Sequence, residues 1–248
     1  MAASYPYGKF AEVYDSVMNQ DLFYEQYYSF IVEVFRELKV KPRNILDLGC
    51  GTGKLAQFFL KGSYDVEGLD ISSDMLKVAA KRGINVHQGS MASFSLDKKF
   101  DSVVSIFDSL NYLTSKREVK KCFNNVNKHL NDGGLFIFDV NTPFKINNVT
   151  PNKFSKVAYF KQDNIELVWL NSHNKDTWIV DLVIFQKEKN GLYKRFDERH
   201  VEKAYGLTEL RKLLKDSGFV VAGVYSDFDF SAVRKNSWKW FFVCRKQG

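Results

Sequence analysis

Apolar residues recur at intervals of three and four over residues 11 to 39. Phe23, Tyr27, Phe30, Ile31, Val34, Phe35 and Leu38 make one stripe, which predicts a helix with a single buried face ending before Pro42. The period then changes. "NILDLG" is a short apolar run, which reads as a buried strand, and Lys54 to Lys61 reads as a helix stopped by Gly62. "YDVEGLD", Tyr64 to Asp70, is a second strand. "SSDMLKVAAKRG" opens on serine caps and closes on Gly83, so it is a helix with a signal at each end. "INVHQGS" and "FDSVVSIF" read as the third and fourth strands, the latter apolar enough to be buried on both faces. "SKREVKKCFNNVNKHLNDGG" is a helix with Val119, Phe123, Val126 and Leu130 inward, and "LFIFDV" is a fifth strand. Strands alternating with helices predict an α/β fold: a doubly wound, mainly parallel sheet with helices on both faces.

From Pro143 the texture changes. "KVAYF", "IELVWLN", "TWIVDLVIFQKEK" and "LYKRFDERHVEKAY" are β-rich, and "HNKD" and "KNG" look like hairpin turns between them. This reads as a small antiparallel β insertion. "LTELRKLLKDSGF" then predicts a helix capped by Thr208 and stopped by Gly218, and two further strands complete a seven-stranded sheet. The division expected is residues 1–143 for the N-terminal helices and the first part of the core, 144–205 for the insertion, and 206–248 for the rest of the core.

The chemistry concentrates after the first strand. Gly49, Gly51 and Gly53 lead directly into a helix. They permit a sharp turn and let a ligand lie against the main chain. The helix start offers free N–H groups to a carboxylate or a phosphate. The second strand ends in Asp70, which a doubly wound sheet places beside the glycine turn, where a carboxylate accepts hydrogen bonds from both hydroxyls of a ribose. The spacing is G-x-G-x-G, with Lys54 where a dinucleotide fingerprint has its third glycine. The Gly53–Lys54 pair is followed by Leu55 and lacks the Ser or Thr of a P-loop.

"ILDLGCGTGKLAQFFL" resembles the first motif of the class I (Rossmann-like) S-adenosylmethionine-dependent methyltransferases of small-molecule type. "VEGLDIS" resembles their second motif and "GGLFIFDV" the strand after the fourth helix. The resemblance covers about residues 7 to 140 and the last forty or so. It implies S-adenosyl-L-methionine as cofactor, with S-adenosyl-L-homocysteine as product. Gly49, Cys50 and Gly51 would pass under its methionine part, and Asp47 would face its amino group. Asp70 would hold the ribose, and Ile71 and Met75 would flank the adenine. Ser90 stands where similar enzymes often carry an aspartate, which leaves Met91's backbone N–H to meet the ring. Phe107 and Asp108 would line the cofactor, Asn111 and Tyr112 would approach the acceptor, and Tyr14 of an N-terminal cover helix would close over the carboxylate or sulfonium. His200 and Tyr112 would be the catalytic residues, with His200 as the base. The insertion would be a lid, in which Trp169, Trp178, Phe185 and Tyr193 either wall a pocket or form the lid's own packed face.

Composition narrows the alternatives. The net charge is +7, but the basic residues form no long block, so a solvated surface is expected rather than a nucleic-acid patch. A tRNA-modifying methyltransferase and a non-catalytic S-adenosylmethionine-binding protein remain the other readings. Cys50, Cys122 and Cys244 are odd in number and widely spaced, which argues against disulfides and a cysteine metal site. No stretch is apolar and long enough to span a membrane. A cytoplasmic enzyme, monomer or homodimer, that methylates N or O of a small-molecule acceptor without a metal is the expectation.

Overall fold

The structure is a computed structural model that describes residues 7, 9–18, 21–149 and 156–248. After a short 3-10 turn at Lys9–Glu12, the chain forms α1 (Tyr14–Met18) and α2 (Asp21–Glu37). Five parallel strands follow: β1 (Asn44–Leu48), β2 (Asp65–Asp70), β3 (Asn85–Gln88), β4 (Phe100–Ser105) and β5 (Leu130–Asn141). Between them run α3 (Lys54–Lys61), α4 (Ser73–Lys81) and α5 (Lys116–His129). The chain leaves the sheet through α6 (Pro143–Val149) into a four-stranded antiparallel meander: β6 (Lys156–Gln162), β7 (Ile165–Asn174), β8 (Thr177–Lys187) and β9 (Tyr193–Lys203). It returns through α7 (Leu207–Lys215) to β10 (Phe219–Ser226), β11 (Asp229–Ala232) and β12 (Lys239–Lys246).

The main sheet has the order β11-β10-β12-β5-β4-β1-β2-β3. Strand β12 lies between β5 and β10 and is antiparallel to both. Strand order reverses between β1 and β4, and that switch point opens a crevice at the strands' carboxyl ends. Alternate residues face opposite sides, as a strand requires. Ile45, Val104, Ile137, Phe241 and Val243 pack under α2 and α3, in one cluster with Tyr27, Phe30, Ile31 and Phe59. Leu46, Val103, Phe136, Phe138 and Phe242 pack on the other side under α5 and α7, with Phe123, Leu210 and Leu214. The smaller sheet buries one face, where Leu167, Val180, Leu182 and Ile184 meet Ile146 of α6 and Phe10 and Val13 of the N-terminal turn.

The sequence pattern and the structure differ at several points. The helix expected over residues 11 to 39 is broken, because Phe10 and Val13 must reach the smaller sheet while α2 keeps its stripe on the larger one; residues 19 and 20 lie outside the described residues. Asp15 fixes the first piece by pairing with Arg82 and accepting from the Thr52 hydroxyl at 2.8 Å. The fourth strand stops at Ser105, since Phe107 and Asp108 both turn left-handed, with φ of 54° and 55°. The N-cap of α7 is Gly206, one residue ahead of the helix, so Thr208 falls inside the first turn. Strand β11 adds a four-residue edge to the seven strands expected.

Candidate active site

Two cavities open at the switch point. The first, about 400 Å³, is built on the glycine turn. Gly49 N–H and Cys50 N–H both donate to Leu69 O, at 2.7 and 3.1 Å, which folds the turn onto the tip of β2. Gly49 has φ of 78°, and a Cβ there would come within 2.9 Å of Ser109; Gly51 has φ of 53° and faces open space. Only a residue without a Cβ takes up that backbone without strain and leaves it bare to a ligand. Asp70 is held from behind: its Oδ2 accepts from Gly51 N–H and its Oδ1 from Ser72 N–H, each at 2.9 Å. Its remaining lone pairs are available to the cavity.

Asp47 lies at the end of β1, 1% exposed, and its Oδ2 has no hydrogen-bond partner among the described residues. Burial, reinforced by the nearby Asp70 carboxylate, raises its pKa to about 7. A buried acid in the wall of a cavity, with an unmet acceptor, suits a ligand ammonium. Ile71 and Met75 supply an apolar wall, and Ser90 and Met91 form another edge. The sequence-predicted residues Tyr14, Asp47, Gly49, Cys50, Gly51, Asp70, Ile71, Met75, Ser90, Met91 and Phe107 all line this cavity.

Asp108 does not. It lines the second cavity, about 620 Å³, which lies between the N-terminal helices, α6 and the smaller sheet. Lys239 of β12 donates to both Asp108 and Asp139, and Tyr27 OH donates to Asp139 at 2.8 Å. Burial opposes ionisation of Asp108, yet the Lys239 and Lys145 ammonium groups overcome it and hold its pKa well below the ordinary range. This network fixes the left-handed pair Phe107–Asp108, a backbone geometry that costs energy unless its surroundings enforce it.

His200 of β9 also lines the second cavity. It is 4% exposed; its Nδ1 meets the Tyr112 hydroxyl at 3.1 Å, and its Nε2 has no hydrogen-bond partner among the described residues. Glu198 approaches that Nε2 at 3.5 Å. Trp169 and Trp178 line the same cavity, whereas Tyr193 lies on the exposed side of the smaller sheet, bonded to Glu166 at 2.9 Å. Asn111 lines neither cavity: it is fully buried and bonded to the main chain. Its expected place at the acceptor is therefore corrected.

Tyr7, Tyr14, Phe107 and Tyr112 are common to both cavities and form a collar between them. Tyr7 carries no motif, and its part is visible only in three dimensions. Its N–H donates to Glu198 at 2.8 Å, its carbonyl accepts from Ser72 Oγ at 2.9 Å, and its hydroxyl meets that of Tyr112 at 2.5 Å. Glu202 and Lys145, also unmarked in the sequence, line the second cavity.

A sheet in this order, with a glycine turn at its switch point and an acid on the neighbouring strand tip, defines a class I S-adenosylmethionine-dependent methyltransferase. The comparisons agree, and the chain belongs to that family. Residues 45–134 match the family model described as a methyltransferase domain. The Bacillus subtilis (strain 168) protein named "Putative methyltransferase YqeM" is 33% identical over 97% of each chain. A crystal structure of an S-adenosylmethionine-dependent methyltransferase from Clostridium acetobutylicum superposes with a TM-score of 0.84 at 28% identity, covering 97% of this chain and 98% of that one. The dTDP-3-amino-3,4,6-trideoxy-alpha-D-glucopyranose N,N-dimethyltransferase of Streptomyces venezuelae is 35% identical over 52% of this chain and 56% of its own. S-adenosylmethionine is the cofactor of this enzyme. The bare turn at Gly49 and Gly51, the oriented Asp70 and the orphan acceptor of Asp47 fit it.

Proposed function

We propose that this enzyme methylates a nitrogen or oxygen of a small molecule held in the second cavity. The observation that carries the reading is the collar: Tyr7, Tyr14, Phe107 and Tyr112 are the side chains through which the two cavities face each other. Bound in the first cavity, S-adenosylmethionine supplies an electrophilic methyl group on a sulfonium with a neutral leaving group. The collar's aromatic faces favour a cation and exclude water. What remains for the protein is alignment of the acceptor with that methyl, which accounts for a large part of the rate in such reactions.

His200 is the group placed to take a proton. Its Nε2 is buried without a hydrogen-bond partner among the described residues, 3.5 Å from Glu198, and the residue lines the acceptor cavity. The Tyr112 hydroxyl at Nδ1 fixes the ring. Burial, with Glu202 nearby, raises the Tyr112 pKa well above its usual value, so Tyr112 acts as a phenol and positions rather than as a base. Asp47 and Asp70 bind the amino group and the ribose, the glycine turn the methionine part, and Ile71, Met75, Ser90 and Met91 the adenine. The aromatic walls of the second cavity support a small acceptor over a nucleic acid, and the amino-sugar N-methyltransferase from Streptomyces venezuelae supports the same class.

The test is methyl transfer from isotope-labelled S-adenosylmethionine to a panel of small amines and alcohols and, separately, to tRNA. Label in a small molecule is expected. Label in tRNA alone, or binding of S-adenosylmethionine with transfer to nothing, would overturn the reading.

A further inference from the structure

Strand β9 places Glu198, His200 and Glu202 on one face, since alternate residues of a strand share a side. Glu202 is 5% exposed and lines the second cavity. It belongs to a buried charge cluster assembled from four other segments: Asp108 after β4, Asp139 of β5, Lys145 of α6 and Lys239 of β12. Asn141, at the end of β5, ties the cluster together. Its Nδ2 donates to Glu202 Oε2 at 2.7 Å and to Asp108 Oδ2 at 2.9 Å, and its Oδ1 accepts from Lys145 Nζ at 2.7 Å. Lys239 is shared by Asp108 and Asp139.

The cluster therefore sets three carboxyl groups against two ammonium groups. With all five ionised, one negative charge lacks a partner. Burial, with Asp108 close by, pushes Glu202 well above the usual carboxyl range, so the cavity without ligand holds it as a neutral acid. The other polar groups around it do not change that count. Glu198 is occupied by the N–H groups of Tyr7 and Phe10, and Asp227, at the half-exposed edge of the cavity, lies 3.8 Å from Arg234. Tyr7 and Tyr112 are held neutral by burial. His200, on the same face, also lines the cavity, and its Nε2, without a hydrogen-bond partner among the described residues, lies 3.5 Å from Glu198.

A cation entering this cavity supplies the charge that the cluster lacks. An anion would be a further negative group beside Lys145, which already faces Asp108, Glu202 and Asp139. The walls agree, because Trp169, Trp178 and Phe228 line the cavity and aromatic rings attract cations, as Lys145 Nζ shows by lying 5.2 Å from the centroid of the Trp178 ring. We propose that the methyl acceptor is an amine that enters the second cavity as its ammonium ion, and that Glu202 receives that charge by ionising as the amine binds. This rests on the second cavity being the acceptor site. The proton balance is simple: Glu202 releases its proton to solvent, the ammonium passes one N–H proton to His200 Nε2, and the freed nitrogen lone pair is then available. The imidazolium so formed has Glu198 at 3.5 Å.

The experiment is calorimetry on the protein saturated with S-adenosylhomocysteine. Benzyltrimethylammonium is titrated at pH 7 in two buffers of different ionisation enthalpy. The probe has no N–H, so every proton released comes from the protein. Binding with release of close to one proton per cation is expected. In Glu202→Gln the release is lost and affinity falls on the order of tenfold. In Lys145→Met, which removes a competing positive charge, the cation binds more tightly. Binding without proton release, tighter binding of benzoate or phenyl phosphate than of the cation, or no cation binding by protein that takes up S-adenosylhomocysteine would each overturn the proposal. Protein that takes up no S-adenosylhomocysteine would instead sink the broader reading of the site.

Discussion

The side-chain amide of Asn111 pairs with both main-chain groups of Asn141: its Nδ2 donates to the carbonyl at 3.3 Å and its Oδ1 accepts the N–H at 2.9 Å. The same Nδ2 donates to Lys203 O at 2.8 Å. One buried amide thus joins the turn after β4, the end of β5 and the end of β9, and so holds the smaller sheet against the larger. Asn111→Ala leaves three main-chain groups without this partner in a site that is 0% exposed. A loss of about 3 kcal/mol is expected in urea unfolding, from ~1–3 kcal/mol for each buried group left unsatisfied and partial relaxation of the rest. A loss below ~1 kcal/mol would mean that those groups find other partners.

Asp47 makes stability and cofactor binding respond to pH in opposite directions. Its folded pKa, about 7, is raised above the unfolded value, so the folded state holds the proton more tightly. Its contribution to stability is therefore largest at low pH and declines as pH rises toward 7, by up to about 1.4 kcal/mol per pH unit. S-adenosylmethionine brings an ammonium that needs the ionised form, so its affinity should rise with pH over the same window and level off above it. Asp47→Asn should flatten both profiles and raise stability at pH 8. Calorimetry and thermal unfolding between pH 5.5 and 8.5 measure both; an unchanged affinity profile in Asp47→Asn would remove Asp47 from the amino-group site.

Asp70 offers a sharper test of the cofactor geometry. The two backbone N–H bonds that orient its carboxylate survive in Asp70→Asn only in part, because an amide has one acceptor oxygen instead of two. Loss of a charged hydrogen-bond acceptor costs ~1.5–3 kcal/mol. Affinity for S-adenosylmethionine should fall on the order of 10- to 100-fold. Adenosine, which retains the ribose, should lose a similar factor, whereas methionine should lose little.

The sequence carried the first cavity better than the second, for a physical reason. A glycine turn and a strand-tip acid are local constraints: they must sit at fixed spacings whatever surrounds them, and Gly49, Gly51 and Asp70 are readable for that cause. The second cavity is made by distant segments that meet. Glu202 and Lys145 sit 57 residues apart and meet through Asn141, which hydrogen-bonds to both. Tyr7 acquires its role through contacts with Glu198, Ser72 and Tyr112, which come from three distant segments. Asp108 and Asn111 lay in the right loop, but strand periodicity does not say that two successive left-handed residues turn the first toward Lys239 and the second into the main chain. The same limit explains the single helix expected at the N-terminus: its apolar spacing continues across a break whose cause is a second sheet.

The ion pair under that turn should show strong coupling. Lys239→Met strands Asp108 and Asp139 as buried acids, and removing one partner of such a cluster costs ~3–5 kcal/mol. In Asp108→Asn with Lys239→Met one of the stranded charges is gone, and the double variant should be less destabilised than the sum of the single changes. Guanidinium unfolding of the four proteins closes the cycle. Additive losses would show that the pair does not hold the Phe107–Asp108 backbone.

Tyr112 separates positioning from binding. Its ring belongs to the collar, and its hydroxyl touches Tyr7 at 2.5 Å and His200 Nδ1 at 3.1 Å. Tyr112→Phe keeps the ring and removes both bonds. The collar still shields the cofactor, so affinity for S-adenosylmethionine should change less than about threefold, ~0.6 kcal/mol. The His200 ring, however, loses the contact that fixes its orientation. The rate of methyl transfer to an acceptor should then fall on the order of 10- to 100-fold, a part of the roughly 10²–10⁴-fold that a positioned proton acceptor contributes. His200→Gln should lower the rate at least as far, and in combination with Tyr112→Phe the two losses should not add, because both act through one imidazole. Tyr14→Ala, which opens the collar itself, should instead weaken cofactor binding. A Tyr112→Phe protein that loses cofactor affinity and rate in equal measure would place the hydroxyl in the scaffold of the first cavity and leave His200 without its orienting partner.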